Sequence, residues 1–232
     1  VLFRSPGSMP PASRSIDEEG VLIDNFLLME QGRLRERELR DLLAAGRHPA
    51  RNPDQNVADL KAQLAANARG IAELEALIAR CGLQAVRDYM GHVQDNAEAC
   101  VREVIGRLRE GRLRCEMDDG SAIEVRVALD RGTRSAVVDF AGTSPQQPGN
   151  FNAPLAVTTA AVLYVFRTLV DTDIPLNAGC LKPLNVVIPE GSMLRPKAPA
   201  AVVAGNVETS QCLTDALYGA LGVLDRKSTR LN

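Results

Sequence analysis

The residue pattern predicts an α+β chain in three parts: a long antiparallel helical hairpin, an antiparallel β-meander, and a mixed α/β region with a buried helix. Three observations carry this. Apolar residues recur every three or four positions from 57 to 108, with one break at Gly82. From 113 to 129 the apolar period drops to two. Residues 154–169 are apolar nearly all round, as in a central buried helix. The change of period divides the chain into 6–110, an N-terminal loop plus the hairpin, and 111–225, the meander and mixed region.

Each element has its own local signal. Residues 6–14 are rich in Pro and Ser and read as a loop. Val21-Leu22-Ile23 and Phe26-Leu27-Leu28-Met29 flank Asp24-Asn25 and read as extended runs. Residues 33–43 alternate charge sign around Leu34, Leu39, Leu42 and Leu43, which predicts a short amphipathic helix. Asn52-Pro53-Asp54-Gln55 is a helix start: a capping side chain, Pro at the first helical position and Gln at the third. Val57, Leu60, Leu64, Ile71, Leu74 and Ile78 then form a stripe, with Asn67 in the missing place, and Gly82 ends it. Leu83, Val86, Met90, Val93, Ala97, Cys100, Val104 and Leu108 form the next stripe. So short a link requires the two helices to double back, each burying its stripe against the other.

After Gly111, Leu113, Cys115 and Met117 alternate with charged residues, and Asp119-Gly120 signals a hairpin turn. Ile123, Val125, Val127 and Leu129 continue the alternation, Asp130-Arg131-Gly132 turns again, and 135–140 reads as a third strand. Beyond the buried helix, 171–180 reads as a loop, 184–188 as a strand, 189–192 as a turn and 200–204 as a short strand. Gly205-Asn206 opens a last helix, with Leu213, Ala216, Leu217, Ala220, Leu221 and Leu224 on one stripe, still in mid-pattern at Arg226. Residues 1–5 and 226–232 resemble translated sequencing-adapter sequence and are set aside as non-native tails.

The bulk properties narrow the function classes. The chain has 232 residues, 45% hydrophobic, enough for a real core. Its 27 basic and 29 acidic residues nearly cancel, and no basic stripe with interleaved aromatics exists, which argues against nucleic acid as a partner. The longest apolar run, about 153–166, is too short to span a bilayer, and no secretory signal opens the chain. Cys81, Cys100, Cys115, Cys180 and Cys212 form no CxxC pair, and His48 and His92 form no metal-binding spacing. Reduced thiols in a cytoplasmic protein and no metal site on this segment are the expectation. No P-loop and no dinucleotide fingerprint is present.

Three polar bends interrupt the apolar C-terminal half: 142–152, 176–180 and 205–211. Asn offers a donor and an acceptor together, the complement of a cyclic amide. A Gly-Asn step that opens a helix points free backbone N–H groups at an anion or a developing oxyanion. Thr143, Asn150, Asn152, Asn177, Gly179, Asn206 and Ser210 are therefore the candidate substrate-binding residues, and Glu208 the candidate general base. Helix capping is the competing role for each Asn. Asp139 reads as an exposed strand carboxylate, His92 with Asp95 and Asn96 as a satisfied helix face, and Cys180 as a packed thiol.

Six segments carry a family resemblance. They are 6–11, 16–21, His92-Val93-Gln94-Asp95-Asn96-Ala97, 142–154, Asn177-Ala178-Gly179-Cys180-Leu181-Lys182-Pro183, and 205–211. Together they resemble the hydantoinase B/oxoprolinase family from about residue 6 to 224. The resemblance implies the B-type subunit of an ATP-dependent enzyme that opens a cyclic amide such as 5-oxoproline or a hydantoin. It implies an A-type ATPase partner that binds ATP and phosphorylates the amide oxygen, after which the B-type chain takes the intermediate to an amino acid. Subunits of this family are longer, so the chain reads as an internal fragment, inactive alone. In carboxylase relatives a divalent metal binds in an N-terminal part absent here. Two rivals stand beside this: a subunit of an ATP-dependent ketone carboxylase, and a scaffold whose helical hairpin docks the A-type subunit.

Overall fold

The computed structural model describes residue 10 and residues 12–223; both tails set aside above, and Leu224, lie outside the described residues. The N-terminal arm begins with a 3-10 turn, Ile16–Glu18, whose first N–H groups meet the Ser15 hydroxyl. The expected extended runs give little ladder. Leu22 makes a single bridge, and β1 (Met29–Glu30) pairs, antiparallel, with β2 (Arg33–Leu34) across Gln31-Gly32. The amphipathic helix is α1 (Glu36–Ala44), starting three residues later than the charge pattern suggests. It buries Leu39 and Leu43 with Val57 in a small satellite core.

The long α2 (Pro53–Cys81) starts where the sequence says. The Asn52 side chain accepts from the Gln55 N–H at 3.3 Å, and Pro53 sits at the first position. Gly82, at φ 85°, separates α2 from α3 (Leu83–Arg107). The two stripes were expected to bury each other, and here the structure differs. Ile71, Leu74 and Leu77 on α2 and Tyr89, Met90 and Val93 on α3 all remain exposed. All but Ile71 line an apolar groove of about 650 Å³ beside Gly82. Val86 is the one buried residue in the first half of α3, and Ala97, Val101 and Ile105 of the second half join the main core. Periodicity reports that a face is apolar, not what covers it.

The meander is as predicted. β3 (Gly111–Glu116), β4 (Ala122–Asp130) and β5 (Ser135–Asp139) pair antiparallel, with Leu113 opposite Val125 and Val127 opposite Val138. The strand at 184–187, β6 (Leu184–Val187), joins parallel to β5, giving the order β3-β4-β5-β6. A parallel neighbour needs a crossover, and α4 (Leu155–Thr168) supplies it. One sheet face is covered by α3, α4 and α5 (Glu208–Ala220). Ile123, Val125, Val127 and Val138 point into that layer with 1% exposure or less.

Three further expectations change. Helix α4 buries Thr158, Ala161, Val162, Val165 and Phe166, but Leu155 and Tyr164 are about half exposed, so it packs on one face and is not enclosed. The strand expected at 200–204 is an irregular segment entering a 3-10 turn, Val203–Asn206. Its Val202 and Val203 N–H groups bond to the buried Glu19 carboxylate at 2.9 Å, so they are not free for a ladder. The last helix does not run on. α5 ends at Ala220, where Gly222 at φ 70° lets the Val223 N–H reach the Tyr218 carbonyl and the Gly222 N–H reach Gly219. That is the 6→1 and 5→2 closure of a helix end.

Candidate functional site

The first and third polar bends meet at the head of α5. Asn152 is their hinge, with 0% exposure. Its side-chain carbonyl accepts from the Gln147 N–H at 2.8 Å. Its amide donates to the carbonyls of Gln147, Gly149 and Ala201 at 2.9–3.0 Å. An irregular loop has no ladder to satisfy its peptide groups, so a side chain with both a donor and an acceptor does so. Gly205 packs directly on the Asn152 carbonyl, and a Cβ there would overlap it. The Ala204 N–H donates to the Asn150 carbonyl at 3.0 Å, and the buried Thr209 hydroxyl donates to the Phe151 carbonyl.

Behind the hinge lies a network that sequence reasoning did not single out. Glu19 is fully buried. Its carboxylate accepts from the Ser13 hydroxyl at 2.8 Å and from the Val202 and Val203 N–H groups. Asn150, 3% exposed, donates from its amide to Ser13 Oγ and to the Pro10 carbonyl, both at 3.2 Å. A carboxylate out of water is tolerated when several donors converge on it. Here they fasten the N-terminal arm to both polar bends. Glu19 lies in one of the segments that carry the family resemblance. No periodicity marks it, because its partners are nearly two hundred residues away.

In front of the hinge is an open cleft between α4 and α5 of about 370 Å³. Asn206, Ser210, Thr214 and Tyr164 supply its polar groups, and Ala156, Val157, Ala160 and Ala161 its floor. Asn206 and Glu208 are exposed. The Ser210 hydroxyl donates to the Asn206 carbonyl at 3.0 Å. No side chain caps the head of α5, where Val207 is the N-cap. The small residues of α4 keep this cleft open; their helical spacing was legible, but their exposure was not.

The remaining candidates sit elsewhere. Thr143 is buried, its hydroxyl bridging the Glu124 N–H and carbonyl at 3.1 Å, which fastens the first bend to β4. Asn177 caps the 3-10 turn Ala178–Leu181, accepting from the Gly179 N–H at 2.8 Å. Gly179 packs on the Gln94 carbonyl of α3. This second bend leaves α4 at its far end, about 20 Å along the axis from Leu155, and Asn177 lines the α2–α3 groove instead. The first and third bends therefore meet at the head of α5, the third alone lining the cleft, and the second lies elsewhere. Of the minor candidates, Asp139 accepts from the Ala141 N–H, Cys180 is fully buried, and His92 lies edge-on to Tyr89.

Charge is paired mostly outside the cleft. Lys182 bonds Asp95 at 2.8 Å and lies 3.5 Å from Glu98. The Lys182 hydrogen bond and charge hold the Asp95 carboxyl below its usual range, and Asp95 raises Lys182 in return. On α5, burial first and the neighbouring Cys115 second push the Cys212 thiol up to about 11. Among the described residues no three His, Cys, Asp or Glu side chains are grouped to hold a metal. No described helix is long and apolar enough to cross a membrane.

This fold has known counterparts. The chain is 42% identical over 227 residues to 5-oxoprolinase of Dictyostelium discoideum, a match covering 94% of this chain and 18% of that protein. The fold is that of the ATP-dependent caprolactamase of Pseudomonas jessenii, with a TM-score of 0.72 and 23% identity over 90% of this chain and 37% of the other. It is also found in acetone carboxylase, with a TM-score of 0.76 and 15% identity over 95% of this chain and 32% of the other. The family model described as hydantoinase B/oxoprolinase matches residues 4–229, and the chain belongs to that family.

Proposed function

We propose that this chain is a region of the B-type part of an ATP-dependent cyclic amidohydrolase that opens 5-oxoproline or a hydantoin to an amino acid. The observation that carries this is the 42% identity to a 5-oxoprolinase over nearly the whole chain, including the bends that meet at α5. ATP is bound by an A-type partner, which phosphorylates the amide oxygen, and the reaction takes place in the cytoplasm. Phosphorylation supplies what the chemistry lacks, because an amide carbonyl is a poor electrophile until its oxygen becomes a leaving group.

The cleft residues then divide the work. Asn206 and Ser210 present donor and acceptor groups to the ring amide. The uncapped first turn of α5 faces the charge that develops on oxygen. Glu208 takes a proton from the attacking water as the new C–O bond forms and returns it to the ring nitrogen as the C–N bond breaks, and a second water releases phosphate from the acyl phosphate that remains. Asn150, Asn152 and Thr143 hold the bends in place, while Asn177 and Gly179 set the turn against α3. The test is ATP-dependent ring opening by the full-length protein with its partner. Glu208→Gln should lower kcat by about 100-fold or more, and Asn206→Ala with Ser210→Ala should raise KM. Unchanged turnover in all three variants sinks the catalytic assignment.

A second reading rests on the exposed α2–α3 groove. Five large exposed apolar side chains in one groove exceed the scattered apolar exposure usual for a free domain. In this reading the helical arm docks the A-type subunit, and it is compatible with catalysis at α5. The likeness to acetone carboxylase is one of fold, and it keeps ATP-dependent ketone carboxylation as the rival reaction. ATP-dependent uptake of labelled bicarbonate into a ketone, without ring opening, would decide for it.

A further inference from the structure

Of the five cysteines, two come together from distant parts of the chain. Cys115 ends the inward-facing series of β3, and Cys212 lies in the second turn of α5. The two elements run in opposite directions. Gly111 packs on the Ala220 carbonyl, and Leu113 packs on Gly219. From Gly111 to Cys115 the strand rises about 13 Å. From Ala220 back to Cys212 the helix covers about 12 Å. The register therefore sets Cys115 opposite Cys212 across the β3–α5 contact, and each thiol lies in the other's electrostatic surroundings. Both are half-buried at the edge of the main core, so small oxidants can reach them. The others differ: Cys180 is fully buried, Cys81 is exposed beside Gly82, and Cys100 accepts from the Thr172 hydroxyl.

We propose that Cys115 and Cys212 form a dithiol that closes to a disulfide under a peroxide, cross-linking β3 to the helix that carries Glu208 and Ser210. The step balances as two thiols and one hydrogen peroxide giving one disulfide and two waters. Peroxide first takes Cys115 to a sulfenic acid with release of water. The Cys212 sulfur then attacks that sulfur, and its proton leaves with the sulfenic oxygen as the second water. Burial, Cys115, Asp215 and Glu208 all favour the protonated form of Cys212. That disfavours Cys212 as the first thiolate to meet peroxide, so Cys115 is assigned the first step and Cys212, held opposite it, the second. The disulfide would tie the cleft-bearing helix to the sheet edge, making the mobility of the cleft sensitive to redox state. The cross-link does not depend on the ring-opening proposal.

The test uses the 232-residue chain treated with hydrogen peroxide, alkylated, and digested with trypsin without reduction. Trypsin releases Cys115 in peptide 115–126 and Cys212 in peptide 198–226. The expected result is one linked pair of these peptides, two hydrogen masses lighter than their sum and lost on reduction. Cys115→Ser and Cys212→Ser should each abolish it and leave the partner cysteine alkylated. The pairing also reports the fold, because in an unfolded chain Cys100 meets Cys115 roughly tenfold more often than Cys212 does. Linkage of Cys100 to Cys115, or full alkylation of both Cys115 and Cys212 after peroxide, overturns the proposal.

Discussion

Asn152 shows how much one side chain can hold together. Its four hydrogen bonds satisfy peptide groups from 147, 149 and 201, in loops with no secondary structure to do so. Asn152→Ala leaves a donor and three carbonyls short of partners in a dry site. The expected cost is about 3 kcal/mol, read as a lower urea midpoint at unchanged slope. A change within about 0.5 kcal/mol would mean that water replaces the amide. The residue type was legible in the sequence, since an Asn in a Gly- and Pro-rich loop advertises local hydrogen bonding. Its partners were not, because Ala201 comes near it only after α4 and β6 have been placed.

At the scale of elements, the arm formed by α2 and α3 separates folding from association. Its helices carry the strongest local signals in the chain, and both form where the signals lie. Yet Leu74 and Met90 face an open groove, not a partner helix. Leu74→Asp with Met90→Asp should therefore leave the thermal midpoint of this chain nearly unchanged. The same pair should weaken capture of an A-type subunit by at least tenfold, about 1.4 kcal/mol, as measured by titration calorimetry. A large loss of stability would show that the groove closes on itself, and undiminished capture would move the docking surface elsewhere.

Over the whole molecule, a charged tie links α3 to the turn that precedes β6. Asp95 and Glu98 both face Lys182. Asp95 is held below its ordinary range by the Lys182 hydrogen bond and charge, and Glu98 is lowered by Arg102 first and Lys182 after it. Groups lowered on folding stabilise above their ordinary range, and that stability is lost as pH falls through the folded value. Lys182 is raised, so its share persists below its ordinary range and is lost in strong alkali. The contribution is thus a plateau from about pH 5 to 9 that declines towards pH 2. Lys182→Met should remove it. The stability difference between wild type and variant should be constant on the plateau and shrink on acidification. A difference that grows below pH 4 would reverse the assignment.

By itself the sequence determined everything that depends on near neighbours. The Asn52 cap, the break at Gly82, the period-two strands and the turn glycines each act within a few residues, so their physics is written in order along the chain. Family membership was legible for a related reason, since the bends that define it are contiguous runs. What only the tertiary structure decided is where distant segments meet. Glu19 draws in the Val202 and Val203 amides that alternation alone had assigned to a strand. The apolar face of α2 stays open, and two polar bends meet at α5 while the other turns to α3. Burial and long-range hydrogen bonding depend on which surfaces the chain brings together, and a one-dimensional pattern records only that a surface is apolar or polar.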